Sequence, residues 1–494
     1  MKTLRGPLGA LVVLLLFPVT AAVAAEKRVF RAGAATSNIT PQLGDGIVGN
    51  FTIPPATHVH DELHARCLAL DDGTTRLVFV VVDSVSVNRE VFDAARRVIE
   101  RDTGIPGGNL LMSATHTHSA TSARGRDAMA MRNPPAEAAE RSPLDDYQSF
   151  LARRIVDGVK RALNQLEPAR IGWGAGQVPQ HVFNRRWVLK EGKTAVNPFG
   201  GQDRAVMNPG ARPDLDRPAG PVNPEVYFVS VEAPDGRPLA VLANYWLHYV
   251  GGVPTGHISA DYFAVVADRL QELLGADRRV PPFVGILANG PCADVNNINV
   301  AQPDRRKYAP YEKIRLVADD VAREIARVRA GVRHEEWVEL RAAHADLALR
   351  TRRPDASAVE RARQVLARPA TVSPVHRLER NYAERVIAAA EWPETLNVML
   401  QAVRIGGLAV AAIPFEVFTE TGLELKARSP FRDTFTIELA NGGYGYLPTP
   451  AQHALGGYET WLGTNRVETA ASDLILARLL ELLGSLRGEA ATAR

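Results

Sequence analysis

The residues Thr115-His116-Thr117-His118 close a short apolar run that includes Leu110-Leu111-Met112. Two imidazoles separated by one residue point the same way from an extended chain, because strand side chains repeat every second residue. A neutral imidazole offers a nitrogen lone pair, so the pair suits a metal and proton transfer beside it. Twelve histidines make such a pair common as a mere surface feature, so its meaning depends on further donors. Two occur in similar settings: His248 follows the apolar run 239–246, and Glu416 follows the run 408–413. Catalytic zinc takes about three N or O protein ligands and leaves a position for water, whose pKa it lowers to about 7. His116, His248 and Glu416, drawn from distant parts of one sheet, meet that requirement.

Such residues need rigid elements to aim them. Leu77-Val78-Phe79-Val80-Val81-Val82 is apolar on both faces and reads as a buried strand ending at Asp83. Val91, Phe92, Ala95, Val98 and Ile99 then share one helical face, and the strand carrying the histidine pair follows. Strand, helix, strand of these lengths is a βαβ unit, which puts Asp83 and the histidines at carboxyl ends of parallel strands, where α/β sheets build their sites. Asp83 and Asp261 are then either orienters of the histidines or turn and helix caps. The same reading places a helix over 142–166 with Pro143 at its first position, and another beginning at Pro414-Phe415-Glu416. Residues 192–222, dense in Gly, Pro, Asn and Asp, are expected to form a lid, a binding loop or a disordered segment. No internal repeat is legible. The expected fold class is α/β, with a mixed, mostly parallel central sheet flanked by helices in a single large catalytic domain spanning 26–494.

Composition excludes some partners. A basic start, a short apolar core interrupted by Pro18, and the small residues Ala22-Val23-Ala24-Ala25 read as a secretory signal peptide over 1–25, cleaved near Ala24 or Ala25. A periplasmic or secreted location follows. Loss of Lys2 and Arg5 with that leader lowers the formal charge of +3 by two, leaving no field to attract nucleic acid or an acidic membrane. No later run approaches the roughly 18 apolar residues of a transmembrane helix. The two cysteines, Cys67 and Cys292, either pair or stay reduced and buried, and no zinc-finger spacing surrounds them.

Six short pieces, in order, carry a family resemblance: Ala114-Thr115-His116-Thr117-His118-Ser119, Asn184-Arg185-Arg186, Asn244-Tyr245-Trp246-Leu247-His248, Ala293-Asp294-Val295, Ile413-Pro414-Phe415-Glu416, and Gly445-Tyr446-Leu447-Pro448-Thr449 with Tyr458-Glu459. In these the chain resembles the catalytic domain of the neutral, non-lysosomal ceramidases, zinc amidases that cleave N-acyl sphingosines. The resemblance implies one zinc per chain held by His116, His248, Glu416 and Tyr446. It implies that His118, Arg185 and Tyr458 line the scissile carbonyl, with Asp294 and Asn296 beside them. His118 would move a proton or bond the oxyanion. The sequence departs from the pattern in two ways: Asn296 stands where the family has a serine, and the given sequence has no counterpart of the family's immunoglobulin-like C-terminal domain. The expected activity is hydrolysis of an amide in a small-molecule N-acyl or lipid-like substrate, ceramide-like sphingolipids included. The alternatives are the same chemistry on an ester, acylated sugar or peptide-like compound, and a binding protein without catalysis. No Gly-x-Ser-x-Gly elbow marks a serine hydrolase.

Overall fold

The computed structural model describes residues 2, 28–49, 52–121, 123, 144–277, 279–369 and 371–487, so the expected signal peptide lies outside the described residues. The chain builds the same arrangement three times. The first unit is β1 (Arg31–Asn38), β2 (His64–Asp71), β3 (Arg76–Val82), α1 (Arg89–Thr103), β4 (Leu110–Ala114) and α2 (Asp146–Asn164). The second is β5 (Arg170–Gln177), β6 (Glu225–Glu232), β7 (Pro238–Tyr245), α3 (Asp261–Leu273), β8 (Val284–Asn289) and α4 (Glu312–Arg329). The third is β9 (Leu340–Arg350), α5 (Ala356–Ala367), α6 (Glu379–Ala390), β10 (Thr395–Ile405), β11 (Leu408–Ile413), α7 (Thr419–Arg428), β12 (Asp433–Glu438), the short α8 (Pro450–Leu455) and α9 (Ala471–Ser485).

In each unit three strands pair antiparallel, and a helix then carries the chain to a fourth strand parallel to the third: β3 with β4, β7 with β8, β11 with β12. The expected βαβ unit around α1 is present. The expected mostly parallel central sheet is not, because in each unit the first three strands run antiparallel and only the last connection is a helical crossover between neighbouring strands. Each sheet has only one parallel pair, and the molecule is a mixed α/β fold of several sheets.

Alternation along the strands explains why they read as unbroken apolar runs. Leu77, Phe79 and Val81 enter one core, together with Leu242 of β7 and Leu408, Val410 and Ala412 of β11. That core lies between the inner faces of the three sheets. Val78, Val80 and Val82 face outward onto α1 and α2, Val241 and Ala243 onto α3 and α4, and Ala409, Ala411 and Ile413 onto α9. Every inner strand is therefore covered on both sides, which is why its sequence is largely apolar. The three tight hairpins carry glycines with positive φ, Gly73 (88°), Gly236 (91°) and Gly406 (57°), a conformation that a Cβ would strain.

Local signals were sharper in some places than others. The helix expected over 142–166 starts at Asp146. Its N-cap is Asp145, whose carboxylate accepts the Gln148 N–H while Gln148 answers in a capping box. Residues 142–143 lie outside the described residues. No helix begins at Pro414. Glu416–Val417 is instead a two-residue strand parallel to Tyr446–Leu447, and α7 starts at Thr419. The stretch 192–222 is not a plain loop: Ala205–Met207 and Leu215–Pro218 flank Arg186–Leu189 in a small sheet. Cys67 and Cys292 are both buried and free. No described helix is long and apolar enough to cross a membrane.

Candidate metal centre

The carboxyl ends of the parallel strands meet at one end of this three-sheet arrangement, and the first unit delivers His116 there. β4 has already ended at Ala114, and His116 is left-handed, with φ of 72°. The two histidines therefore converge through a turn of the backbone rather than through strand alternation. Such a conformation costs energy in a non-glycine residue and persists only where its surroundings fix it. Here the His116 N–H donates to the Ser84 carbonyl at 2.8 Å, and the Thr117 hydroxyl donates to the Ser259 carbonyl at 2.7 Å.

The ring of His116 is oriented by the Val85 carbonyl, 2.7 Å from Nδ1. A proton held there leaves the Nε2 lone pair facing inward. His116 Nε2 lies 2.9 Å from His248 Nε2, 3.1 Å from His118 Nε2 and 3.4 Å from Glu416 Oε2. His248 comes from the second unit, three residues past β7, and Glu416 from the third, three residues past β11. Glu416 Oε2 is buried and accepts no hydrogen bond. The candidate ligand nitrogens of His116, His118 and His248 all lie within 4.8 Å of one another. Burial, with His116, Arg185 and His118 nearby, holds His248 well below the usual imidazole range, so it stays neutral and able to coordinate. Converging lone pairs around an orphaned carboxylate oxygen are unfavourable alone and suit a divalent cation. Nitrogen and oxygen donors of this kind fit zinc.

The remaining expected residues fall into three groups. Tyr446 pairs in register with Glu416, and its hydroxyl accepts from Arg185 Nη2 at 3.0 Å. Burial holds its phenol well above the ordinary range, and Glu416 adds to the effect. The Tyr458 ring centroid is 5.7 Å from that of Tyr446, and the His118 ring stacks on Tyr249 at 4.0 Å. The structure thus gathers His116, His118, His248, Glu416, Tyr446, Arg185 and Tyr458 into one neighbourhood. It also offers His118 as a further nitrogen facing the point where these donors converge.

Asp294 and Asn296 brace this neighbourhood. Asp294 accepts the Thr419 N–H and hydroxyl, both at 2.9 Å, and Asn184 Nδ2 at 2.8 Å, while its carbonyl accepts the Arg185 N–H at 2.8 Å. It ties the segment bearing Arg185 to the start of α7. Asn296 donates to Asn208 at 2.6 Å and pairs in register with Phe183.

The two aspartates, read either as histidine orienters or as turn and helix caps, hold other groups. Asp83 takes Arg66 at 2.5 Å and the His64 N–H at 2.9 Å, because the chain turns at Ser84 and brings the Val85 carbonyl, not the carboxylate, to His116. Asp261 accepts the N–H groups of Val250, Gly251 and Tyr262 and so pins the loop just after His248, and burial raises its pKa to about 6.

Sequence reasoning missed the groups behind the donors. Cys292 Sγ lies 3.9 Å from His248 Nδ1, and its thiol donates to Glu438 Oε1 at 3.1 Å. Glu438 also accepts the Val417 N–H at 2.7 Å, so one buried carboxylate backs His248 and steadies the residue after Glu416. Glu459 is fully buried and binds Arg185 at 3.1 Å and Arg186 at 2.5 Å. The available signal was position alone: Cys292 and Glu438 lie at or just past the ends of β8 and β12, the fourth strands of their units.

No family model matches the chain, and no curated protein matches it in sequence. Solved structures do. A neutral ceramidase from Pseudomonas aeruginosa superposes with a TM-score of 0.67 at 17% identity, covering 94% of this chain and 75% of that one. A ceramidase complexed with C2 gives a TM-score of 0.67 at 15% identity, covering 93% and 76%. Along nearly its whole length, this chain has the fold of the neutral ceramidases.

Proposed function

We propose that the protein is an exported zinc-dependent amidohydrolase, with one zinc per chain, that cleaves the amide bond of a small N-acyl compound. The observation that carries this reading is the convergence of His116, His118, His248 and Glu416 at a buried point beside Arg185, Tyr446 and Tyr458. The fold shared with ceramidases supports the amide as the bond attacked. His116, His248, Glu416 and Tyr446 would hold the metal. When bound, zinc supplies a water activated near neutral pH and a positive charge that polarises the carbonyl.

The chain's own residues do the rest. In the net reaction the acyl carbon gains the oxygen of water, the C–N bond breaks, and the remaining proton goes to the amine nitrogen. His118, half-buried at the edge of the cluster and held face-on by Tyr249, is placed to take that proton and return it. Arg185 keeps its charge and its position because Glu459 fixes the guanidinium from behind. With Tyr458 it provides donors for the oxygen that becomes negative, the largest single contribution available to such a site. No side-chain nucleophile is required, so Asn296 in place of serine leaves this chemistry intact.

The test is metal analysis and amide hydrolysis on His116→Ala beside the wild type. Zinc should fall from about one per chain to near none, and hydrolysis should fall with it by about a thousandfold or more. Zinc at wild-type occupancy in the variant would remove the ligand assignment.

A further inference from the structure

His118 is half-buried, yet two residues from distant parts of the chain bear on its side chain. At the root stands Gly49. A Cβ built on that glycine would lie 2.8 Å from both Cβ and Cγ of His118 and 2.9 Å from its Cα, closer than real side chains approach. Gly49 also has a φ of 123°, a conformation that strains any L side chain, so backbone and space both demand a bare Cα here. Tyr249 covers the ring itself, stacked at 4.0 Å between centroids with 15° between the planes.

Both residues are themselves held. Ile47–Val48, just before Gly49, pairs antiparallel with Ala120–Thr121, just after His118, and the Thr121 hydroxyl donates to the Gly46 carbonyl at 2.8 Å. The Ala56 N–H donates to the Asp45 carbonyl at 2.7 Å and closes the base of the segment that carries Gly49. Beyond Tyr249, Asp261 accepts the N–H groups of Val250 and Gly251 at 3.0 and 2.9 Å, and Asn297 Nδ2 donates to the Val250 carbonyl at 2.9 Å. A histidine side chain turns about two bonds. Contact at its root restrains the first, and the stack restrains the plane of the ring. His118 Nε2 is thereby kept 3.1 Å from His116 Nε2, at the point where the donors converge.

Taking the amidohydrolase reading as its basis, we infer that Gly49 and Tyr249 are positioning residues that fix His118 for proton transfer. The imidazole takes a proton from the attacking water and delivers it to the amine nitrogen as the C–N bond breaks, so one ring must lie within hydrogen-bond reach of both. A misplacement of about 1 Å at such a group costs on the order of a hundredfold in rate. Gly49→Ala puts a carbon where the root of His118 stands and displaces the ring. Tyr249→Leu removes the surface on which the ring stacks. Neither change removes a side chain proposed to hold the metal.

The test compares the zinc-loaded full-length protein with Gly49→Ala, Tyr249→Leu and Tyr249→Phe on two amides that share an acyl group. N-hexanoyl-4-nitroaniline releases a weakly basic amine that departs with little help from a proton, whereas N-hexylhexanamide releases an amine that must be protonated to leave. Zinc should stay near one per chain throughout. For N-hexylhexanamide, kcat should fall by about tenfold to a hundredfold in Gly49→Ala and Tyr249→Leu, with a smaller loss on the nitroanilide, and Tyr249→Phe, which keeps the stack, should retain it. Histidine-selective isotope labelling gives a readout independent of turnover. The His118 ring resonance, assigned by its loss in His118→Gln, should carry the ring-current shift of the stack in the wild type and Tyr249→Phe and lose it in Tyr249→Leu. If Gly49→Ala does not fold, the Tyr249 variants and the resonance still decide. An unshifted His118 resonance in the wild type, kcat within about twofold of wild type in Tyr249→Leu, equal losses on the two amides, or a loss in Tyr249→Phe as large as in Tyr249→Leu overturns the inference. A shifted resonance with neither amide cleaved by the wild type would instead bring down the amidohydrolase reading, and the positioning role with it.

Discussion

Glu459 has no exposed side-chain surface and meets two guanidiniums, Arg185 and Arg186. Removing one partner from a buried ionic group leaves the other charges uncompensated, at a cost of about 3–5 kcal/mol. Glu459→Ala should lower the free energy of unfolding in urea by about that amount, and should reduce kcat as Arg185 loses its anchor. A loss below about 1 kcal/mol would show that water compensates the pair. At this scale the sequence was informative about donors and silent about what holds them. His116, His248 and Glu416 could be read from their types and from the strands before them, whereas Tyr446, Arg185 and Tyr458 needed a resemblance. Val85 could not be read at all, because a backbone carbonyl has no sequence signature, and Cys292 and Glu438 had only their strand-end positions, because their contact joins residues 146 positions apart.

Elements position the donors through close packing as well as through hydrogen bonds. Gly285 in β8 faces the backbone of α3, where a Cβ would lie 2.6 Å from Ala267 Cα and 2.7 Å from its carbonyl oxygen. Neither atom can swing aside, so the helix must move off the sheet. Gly285→Ala should destabilise the protein by about 1–3 kcal/mol in denaturant titration, the range for overpacking a core. A neutral effect would mean that α3 shifts freely. Elements with a strong apolar pattern were legible: β3 lies where the unbroken apolar run places it, and α1 where the 3.6-residue period does. The site's own turn was not. The histidine pair was read as extended chain, yet His116 is left-handed, and Glu416 was read as the start of a helix, yet it lies in a two-residue strand. Both readings failed because tertiary contacts, the Ser84 carbonyl for His116 and the Tyr446 strand for Glu416, outweighed local preference.

At the scale of the molecule, the three units contribute His116, His248 and Glu416 respectively to one point. A ligand that binds only where all three meet stabilises the folded chain by about 2.7 kcal/mol at a hundred times its Kd. Chelation of the purified protein should therefore lower Tm by several degrees, and added zinc should restore it in proportion to the logarithm of its concentration. A Tm indifferent to chelator and to zinc would argue against a resident metal. The threefold arrangement was invisible in the sequence because each unit solves the same packing problem with different residues. Alternation specifies which face a residue takes, not its identity: β3 reads Arg-Leu-Val-Phe-Val-Val-Val and β11 reads Leu-Ala-Val-Ala-Ala-Ile. The mostly parallel sheet was over-read from one βαβ unit. The tight turns at Gly73, Gly236 and Gly406 lie at the end of the strands opposite His116, His248 and Glu416, so the molecule has a pole remote from its proposed chemistry. A tag, a fusion partner or a solid support attached there would leave the working mouth facing solution, which makes this fold a ready candidate for immobilised use.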